Sequence, residues 1–249
     1  MNPTTVNLPL VSVLIPTYQG ERFLSETLEA IASQTWGNLE IVISDDNSTD
    51  STLAIIEAFR TRNSLPLTLL QNPQQGMVNN WNHCIANARG EYLKFVFQDD
   101  LIVPECITRM MEMAQENPAL GLIYSTRALL MSGNAEDNQR CQEIFDGCQS
   151  LHAHWSILRP VMAGQEYLDD PGFFTAPTNK IGEPSAVLIK TTTITRVGGF
   201  DPRMIHLMDF EMWLRLMAHC DVGFIDAPLA VFRIHPDQQS IRNIESGKI

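Results

Sequence analysis

Asp99 and Asp100 stand between two apolar runs, Tyr92-Leu93-Lys94-Phe95-Val96-Phe97 with Gln98 before them and Leu101-Ile102-Val103 after. A carboxylate pair at the end of a buried strand is costly unless something positive sits on it. Such oxygens hold hard divalent cations, and magnesium commonly bridges one or two carboxylates to substrate phosphates. Taken alone, the pair also fits a strand-closing turn. Three further polar clusters follow short apolar runs: Pro16-Thr17-Tyr18-Gln19, Asp45-Asp46-Asn47-Ser48 and Gln71-Asn72-Pro73. Together the four point to a polar ligand bearing hydroxyls, ring nitrogens and phosphates.

The elements that must position them alternate along the chain. Leu10–Pro16, Leu39–Ile43, Leu65–Leu70 and Tyr92–Phe97 read as short buried strands. The stretches between them carry helical spacing: Phe23, Leu24, Leu28 and Ile31; then Leu53, Ile55, Ile56 and Phe59 behind a cap at Ser48 or Asp50; then residues 77–88. Strands alternating with amphipathic helices predict an α/β fold with a mostly parallel sheet covered on both faces. In such a sheet, ligands bind beyond the carboxyl ends of the strands, where all four clusters lie. The second half predicts a helix over 104–117, a strand over Leu120–Leu130, a long loop or partly helical insert over 132–165, a strand over Ser185–Ile189, a helix over Asp209–Ala218, and closing strands Val222–Ile225 and Leu229–Ile234.

Composition removes several classes. The 249-residue chain is long enough to bury a sizeable core, and its net charge of −12 disfavours nucleic acid, which needs Lys/Arg stripes. The five cysteines form no CxxC pair and no ligand spacing, which predicts free thiols in a reducing compartment. Met1–Thr5 carries no basic leader signature, and no apolar stretch approaches spanning length, so a soluble cytoplasmic setting is expected.

The ordered set Val11–Tyr18, Ser33-Gln34-Thr35, Glu40–Asp50, Asn82, Ala88–Tyr92, Asp99-Asp100, Gly198-Gly199-Phe200-Asp201, Asp209–Arg215 and Phe232-Arg233-Ile234-His235 resembles the family 2 glycosyltransferases over nearly the whole chain. The resemblance implies a GT-A fold: one domain over 1–249, with a Rossmann-like nucleotide-sugar half (1–103) fused to an acceptor and catalytic-base half (104–249). It implies inverting transfer of a sugar from a nucleotide-diphosphate donor, UDP-linked, to an acceptor hydroxyl. Pro16, Thr17 and Tyr18 would line the base and Asp46 would accept from the pyrimidine. Asp99 would reach the ribose or donor sugar. Asp100, with His235, would bind Mn2+ or Mg2+, and Asp209 would be the general base. Glu183 and Ser185 fall on the acceptor side. The implied setting is polysaccharide or glycoconjugate synthesis on a glycan or lipid-linked acceptor, at the inner face of a membrane.

The physics of the reaction agrees. Departure of a nucleoside diphosphate builds negative charge that a divalent ion stabilises, and inversion needs a carboxylate base opposite the leaving group. The chain departs from the family pattern at Gln98 and at Met208, where acidic residues are usual. Glu211 is the rival base, but on a helix it points about 200° from Asp209, and at i, i+4 it suits Arg215. Trp81 and Arg233 read as packing and structural residues, and His152, His154 and Trp155 as incidental neighbours in the insert. A nucleotidyltransferase is the first alternative, though Gln19-Gly20-Glu21-Arg22 is not the basic Gly-rich loop that class carries. A non-catalytic nucleotide-sugar binder is the second.

Overall fold

In a computed structural model, which describes residues 8–145 and 147–245, the first four apolar runs become neighbouring strands. The order is β1 (Val11–Thr17), α1 (Leu24–Ala32), β2 (Leu39–Asp45), α2 (Thr52–Arg62), β3 (Leu67–Gln71), α3 (Met77–Asn87) and β4 (Tyr92–Phe95). The leader expectation for Met1–Thr5 falls outside the described residues. Every residue of β1 and β2 is buried, as strands covered on both faces require. Val13, Ile15 and Ile43 pack with α1 and α2, whereas Leu14 and Val42 pack with α3 on the other face, the period-two alternation of a strand. On α1 the buried positions Leu24, Thr27, Leu28 and Ile31 form one stripe. On α2 the stripe is Thr52, Ile56 and Phe59, and Leu53, expected inward, lies off it and is 42% exposed.

The chain continues through β5 (Leu101–Ile102), α4 (Cys106–Glu116), β6 (Leu120–Met131), α5 (Ala135–Ile144), β7 (Val161–Ala163), α6 (Gly164–Leu168), β8 (Val187–Lys190), α7 (Thr191–Val197), α8 (Met208–Met217), β9 (Asp221–Ile234) and α9 (Gln239–Glu245). All strands join one sheet, ordered β3-β2-β1-β4-β8-β6-β9-β5, with β7 also on β9. β1 through β4 are parallel, β8 opposes both β4 and β6, and β6 runs parallel to β9. The mostly parallel α/β architecture expected from the sequence is therefore present.

One expectation is resolved and one changes. The insert at 132–165 is partly helical, the second of its two readings, and holds a strand as well: Asn134 caps α5 by accepting from the Asp137 amide at 2.9 Å, and β7 adds to the sheet. The two closing strands are one, β9, because pairing with β6 continues across the break, stepping from Ser125 opposite Ile225 to Thr126 opposite Pro228. Asp226 and Ala227 are taken up as a bulge, a place where a proline lacking its N–H is tolerated. None of the five cysteines is in a disulfide, and among the described residues no helix is long and apolar enough to cross a membrane.

At the end of the sheet away from the polar clusters, Glu40 is buried and accepts from the Ser12 hydroxyl at 2.6 Å, from the Arg89 amide at 2.7 Å and from Arg89 Nε at 2.8 Å. Burial pushes its carboxyl up, but these donors together outweigh it and hold the net pKa below the ordinary value. A depressed carboxylate stabilises the fold above its unfolded pKa of about 4.3 and loses that contribution as pH falls through the folded value. Glu40→Gln is thus expected to cost about 1–3 kcal/mol at pH 7. In urea melts the gap from the wild type should narrow as the pH drops below about 4; a gap independent of pH would refute the assignment.

Candidate active site

The four polar clusters converge at the carboxyl ends of β1, β2, β3 and β4, and the crevice opens where β1 and β4 are neighbours. Gln98 closes that crevice from below. Its Oε1 accepts from the Tyr18 amide at 2.8 Å and its Nε2 donates to the Tyr18 carbonyl at 3.0 Å. The residue at the family's departure point is thus a staple between two strand ends. Gly20 leaves room for it, since a Cβ there would stand 2.6 Å from Gln98 Oε1.

On the nucleotide side, Asp46 is 9% exposed and accepts from Asn72 Nδ2 at 2.8 Å and from the Gly76 amide at 2.9 Å. These two bonds tie the 71–76 loop to β2, and an open depression there is lined by Asn47, Gln71, Asn72, Pro73 and Gln75. The Tyr18 ring is 54% exposed at the crevice. Pro16 and Thr17 instead lie within buried β1, where the Thr17 hydroxyl is spent on Asp45 at 2.8 Å. Trp81 is core: its ring lies against Phe97 at 4.8 Å and Phe200 at 5.0 Å.

The two adjacent aspartates have opposite environments. Asp100 is wholly buried, with Oδ2 accepting from the Ser185 hydroxyl at 2.5 Å and Oδ1 from the Arg233 amide at 3.0 Å. Burial first, then the charge of Asp99, push its carboxyl well above the ordinary range. Lys94, fully buried in β4, donates to the Ser185 carbonyl at 2.5 Å; burial depresses its pKa, against the charge of Asp100. Asp99 remains 23% exposed in its side chain, and its Oδ2 lies 3.0 Å from His235 Nε2. His235 Nδ1 is buried without a partner. Arg233 braces the pair, its Nε donating to the Asp99 carbonyl at 2.8 Å and its Nη2 meeting Glu26 at 2.7 Å. Asp99 is therefore the exposed carboxylate of the pair, with the largely buried His235 imidazole against it, whereas Asp100 has both oxygens occupied and no exposure.

Among the described residues no cluster of three or more His, Cys, Asp or Glu gathers to hold a metal. One carboxylate and one imidazole nonetheless fit a cation completed by substrate phosphates, the mode in which magnesium avoids all-protein cages. The orphaned imidazole nitrogen fits the same arrangement.

Asp209 lies in the first turn of α8. Its Oδ2 accepts from Asn179 Nδ2 at 2.9 Å and its Oδ1 from the Phe210 amide at 2.8 Å. Burial pushes the carboxyl up to about 7, and the negative charge of Glu183 adds to the rise. That value suits a general base near neutral pH. Leu207, the residue before α8, has φ 57°, a left-handed conformation costly for a branched side chain, and Met208 is buried in the core. Glu211 is committed to Arg215 by a paired contact at 2.6 and 2.7 Å. Arg215 also caps the 197–199 turn, donating to the Val197, Gly198 and Gly199 carbonyls.

The acceptor-side expectations separate. The Ser185 hydroxyl is buried between Asp100 and the Phe97 amide, which donates to it at 3.1 Å, so it faces the interior. Glu183 keeps partial exposure, and its charge bears on both Asp100 and Asp209, which joins the two sides electrostatically. Trp155 is core against Tyr167 at 4.9 Å, and His152 stacks on Phe224 at 5.4 Å, so the insert's aromatic cluster is packing. Lys94, Arg127 and Asn179 are functional-site neighbours that residue order did not single out, and Gln98 was singled out only as a missing acid. For Lys94 and Arg127 a signal existed, a lone cation inside an apolar strand; Asn179 sits in an aperiodic loop and had none.

The family model for glycosyl transferase family 2 matches residues 12–181. An uncharacterised Mycobacterium tuberculosis protein is 30% identical over 90% of this chain and 67% of its own length. A Campylobacter jejuni β-1,3-glucosyltransferase, named for a GalNAc(5)-diNAcBac-PP-undecaprenol substrate, is 31% identical over 45% of this chain and 37% of its own. Among solved structures, Staphylococcus aureus TarS in complex with UDP-GlcNAc aligns with TM-score 0.68 at 21% identity, over 92% of this chain and 60% of that one. A Pyrobaculum calidifontis mannosyltransferase in complex with GDP-Man and Mn2+ gives 0.67 at 17%, over 98% and 62%. At these identities the structural likeness shows the fold, which is GT-A. The chain spans about three fifths of those neighbours' length.

Proposed function

Because this chain belongs to glycosyl transferase family 2, we propose that it moves a sugar from a nucleotide-diphosphate donor, UDP-linked, to a hydroxyl of a saccharide acceptor, inverting the anomeric carbon. The observation that carries this is Asp209, a carboxyl raised to about 7 and held by Asn179, in electrostatic contact through Glu183 with the acidic end of β4. Tyr18 and Asp46 bind the nucleoside, Asp46 by exchanging its Asn72 and Gly76 partners for the base edge. Pro16 and Thr17 shape the strand end beneath it.

Asp99 and His235 would hold the Mn2+ or Mg2+. The role expected at Asp100 passes to its neighbour because a ligand must be reachable; Asp100 instead fixes the turn through Ser185 and the Arg233 amide. When bound, the cation would neutralise charge developing on the departing diphosphate. Asp209 takes the proton of the attacking hydroxyl, and Asn179 orients its carboxylate. Ser185 supports Asp100 from the interior, and Glu183 borders the acceptor. A UDP-GlcNAc-bound neighbour and a Mn2+-bound neighbour support the donor and metal assignments. The undecaprenol-linked substrate named for the Campylobacter relative supports a lipid-linked saccharide acceptor, hence polysaccharide or glycoconjugate synthesis at the cytoplasmic face of a membrane.

The nucleotidyltransferase alternative fares worse because the Gln19–Arg22 loop is acidic-tied: Gln19 Oε1 accepts from the Thr49 amide at 2.9 Å and Asp50 from the Glu21 amide at 3.0 Å. The test is a panel of nucleotide sugars with Mn2+, read by thermal shift and by release of nucleoside diphosphate. A UDP-sugar is expected to raise the unfolding midpoint, by about 2.7 kcal/mol of stabilisation at 100 Kd, and to release UDP when a saccharide acceptor is added. Absence of both across the panel would refute the proposal.

A further inference from the structure

Arg127 is a buried cation that donor chemistry leaves unused. Its side chain is 4% exposed in β6, and its Nε lies 2.5 Å from Glu183 Oε2. Nη2 donates to the Cys148 carbonyl at 2.9 Å, and the guanidinium stands over the Phe232 ring at 5.8 Å. The β6–β9 register shifts on both sides of Thr126, next to Arg127, and bulges of this kind re-aim side chains beside active sites. A buried guanidinium is costly unless paired, so this position is explained by its partner. Glu183 gives Arg127 one oxygen, Oε2, and its side chain stays 19% exposed.

Resting on the transferase reading above, we propose that Arg127 is a positioning residue that clamps Glu183, so that the free carboxylate oxygen of Glu183 accepts from a hydroxyl adjacent to the one Asp209 deprotonates. The preferred acceptor is then a saccharide with two neighbouring free hydroxyls. Asn179 Nδ2 donates both to Asp209 Oδ2 at 2.9 Å and to the carbonyl of Gly182, the residue before Glu183, at 3.1 Å; with Glu183 fixed by Arg127, the two carboxylates can each take one hydroxyl of such a pair. The groups bearing on Asp209 are few. Asn179 and the Phe210 amide donate to it, Glu183 is the charge that faces it, Glu211 is tied to Arg215, and His206 in the preceding turn is held toward its neutral form by burial.

The experiment compares the wild type with Arg127→Met, Arg127→Lys and Glu183→Gln, using one UDP-sugar and two acceptors: a glycoside with adjacent free hydroxyls and its deoxy analogue lacking one. The wild type is expected to favour the diol in kcat/KM by about tenfold or more, since a site built for a hydroxyl leaves polar groups unpaired without it. Arg127→Met and Glu183→Gln should each erase that preference through the acceptor KM, with donor affinity by calorimetry within about twofold. Arg127→Lys should recover part of it. The acidic limb of kcat/KM should move in opposite directions: down in pH for Glu183→Gln, which removes the charge facing Asp209, and up for Arg127→Met, which leaves that charge uncompensated. Folded variants that keep the diol preference, or move the limb the same way, overturn the clamp. Should Arg127→Met not fold, Glu183→Gln and Arg127→Lys decide between the same outcomes. A wild type with turnover but no diol preference sinks the clamp alone; no turnover with any acceptor sinks the transferase reading and the clamp with it.

Discussion

Asp209→Asn is expected to lower kcat by about 10²–10⁴ while leaving donor binding intact, because general-base catalysis contributes on that scale. The amide is nearly isosteric, but its single oxygen can accept from only one of the two donors that hold the carboxylate, so the side-chain volume is kept while one of the Asn179 and Phe210 contacts is lost. Removing a buried carboxyl whose folded pKa lies above its unfolded value of about 3.9 should, if anything, raise the unfolding midpoint at pH 8. The sign follows from burial: the charged form is disfavoured in the fold, so the wild type loses stability as pH rises toward about 7. The wild-type rate should climb through that same pH as the base ionises. Turnover in Asp209→Asn within a few-fold of the wild type, with the acidic limb still in place, would remove Asp209 from the chemistry.

Asp99→Asn is the second large effect. Loss of a group that holds the diphosphate's counter-charge is expected to cost about 10²–10³ in kcat, comparable to removing one oxyanion donor. Its diagnostic is the metal titration. In the wild type, chelation should abolish turnover and Mn2+ restore it; in Asp99→Asn the Mn2+ needed for half-activity should rise sharply. Asp100→Ala makes the contrast, since it orphans the Ser185 hydroxyl and the Arg233 amide and should cost about 1–3 kcal/mol of stability. The folded fraction should keep the wild-type metal requirement. Equal shifts in the metal titration for both variants would return Asp100 to the coordination sphere.

Much of this site is legible in the residues. Burial on both faces makes parallel strands continuous apolar runs, so β1, β2 and β4 announce themselves, and the polar residues that end them mark the crevice. Asp46, Asp99 and Asp209 can be named because each sits at the end of such a run or the start of a helix. The division of labour between Asp99 and Asp100 is not legible. Adjacent residues leave a turn in different directions, and only the arrival of Ser185 before β8 and Arg233 on β9, each far away in sequence, buries one of them. Gln98 likewise reads as a missing acid along the chain, whereas in the fold its amide matches both polar groups of the Tyr18 backbone.

Residue order alone determined the alternating α/β architecture, the family and the acidic character of the crevice, since periodicity and strand-end chemistry are local properties of the chain. Only the tertiary structure decided which carboxylate is accessible, that Arg127 meets Glu183, and that Asn179 holds Asp209. Those facts depend on desolvation and on contacts between segments dozens of residues apart, which no window along the sequence contains.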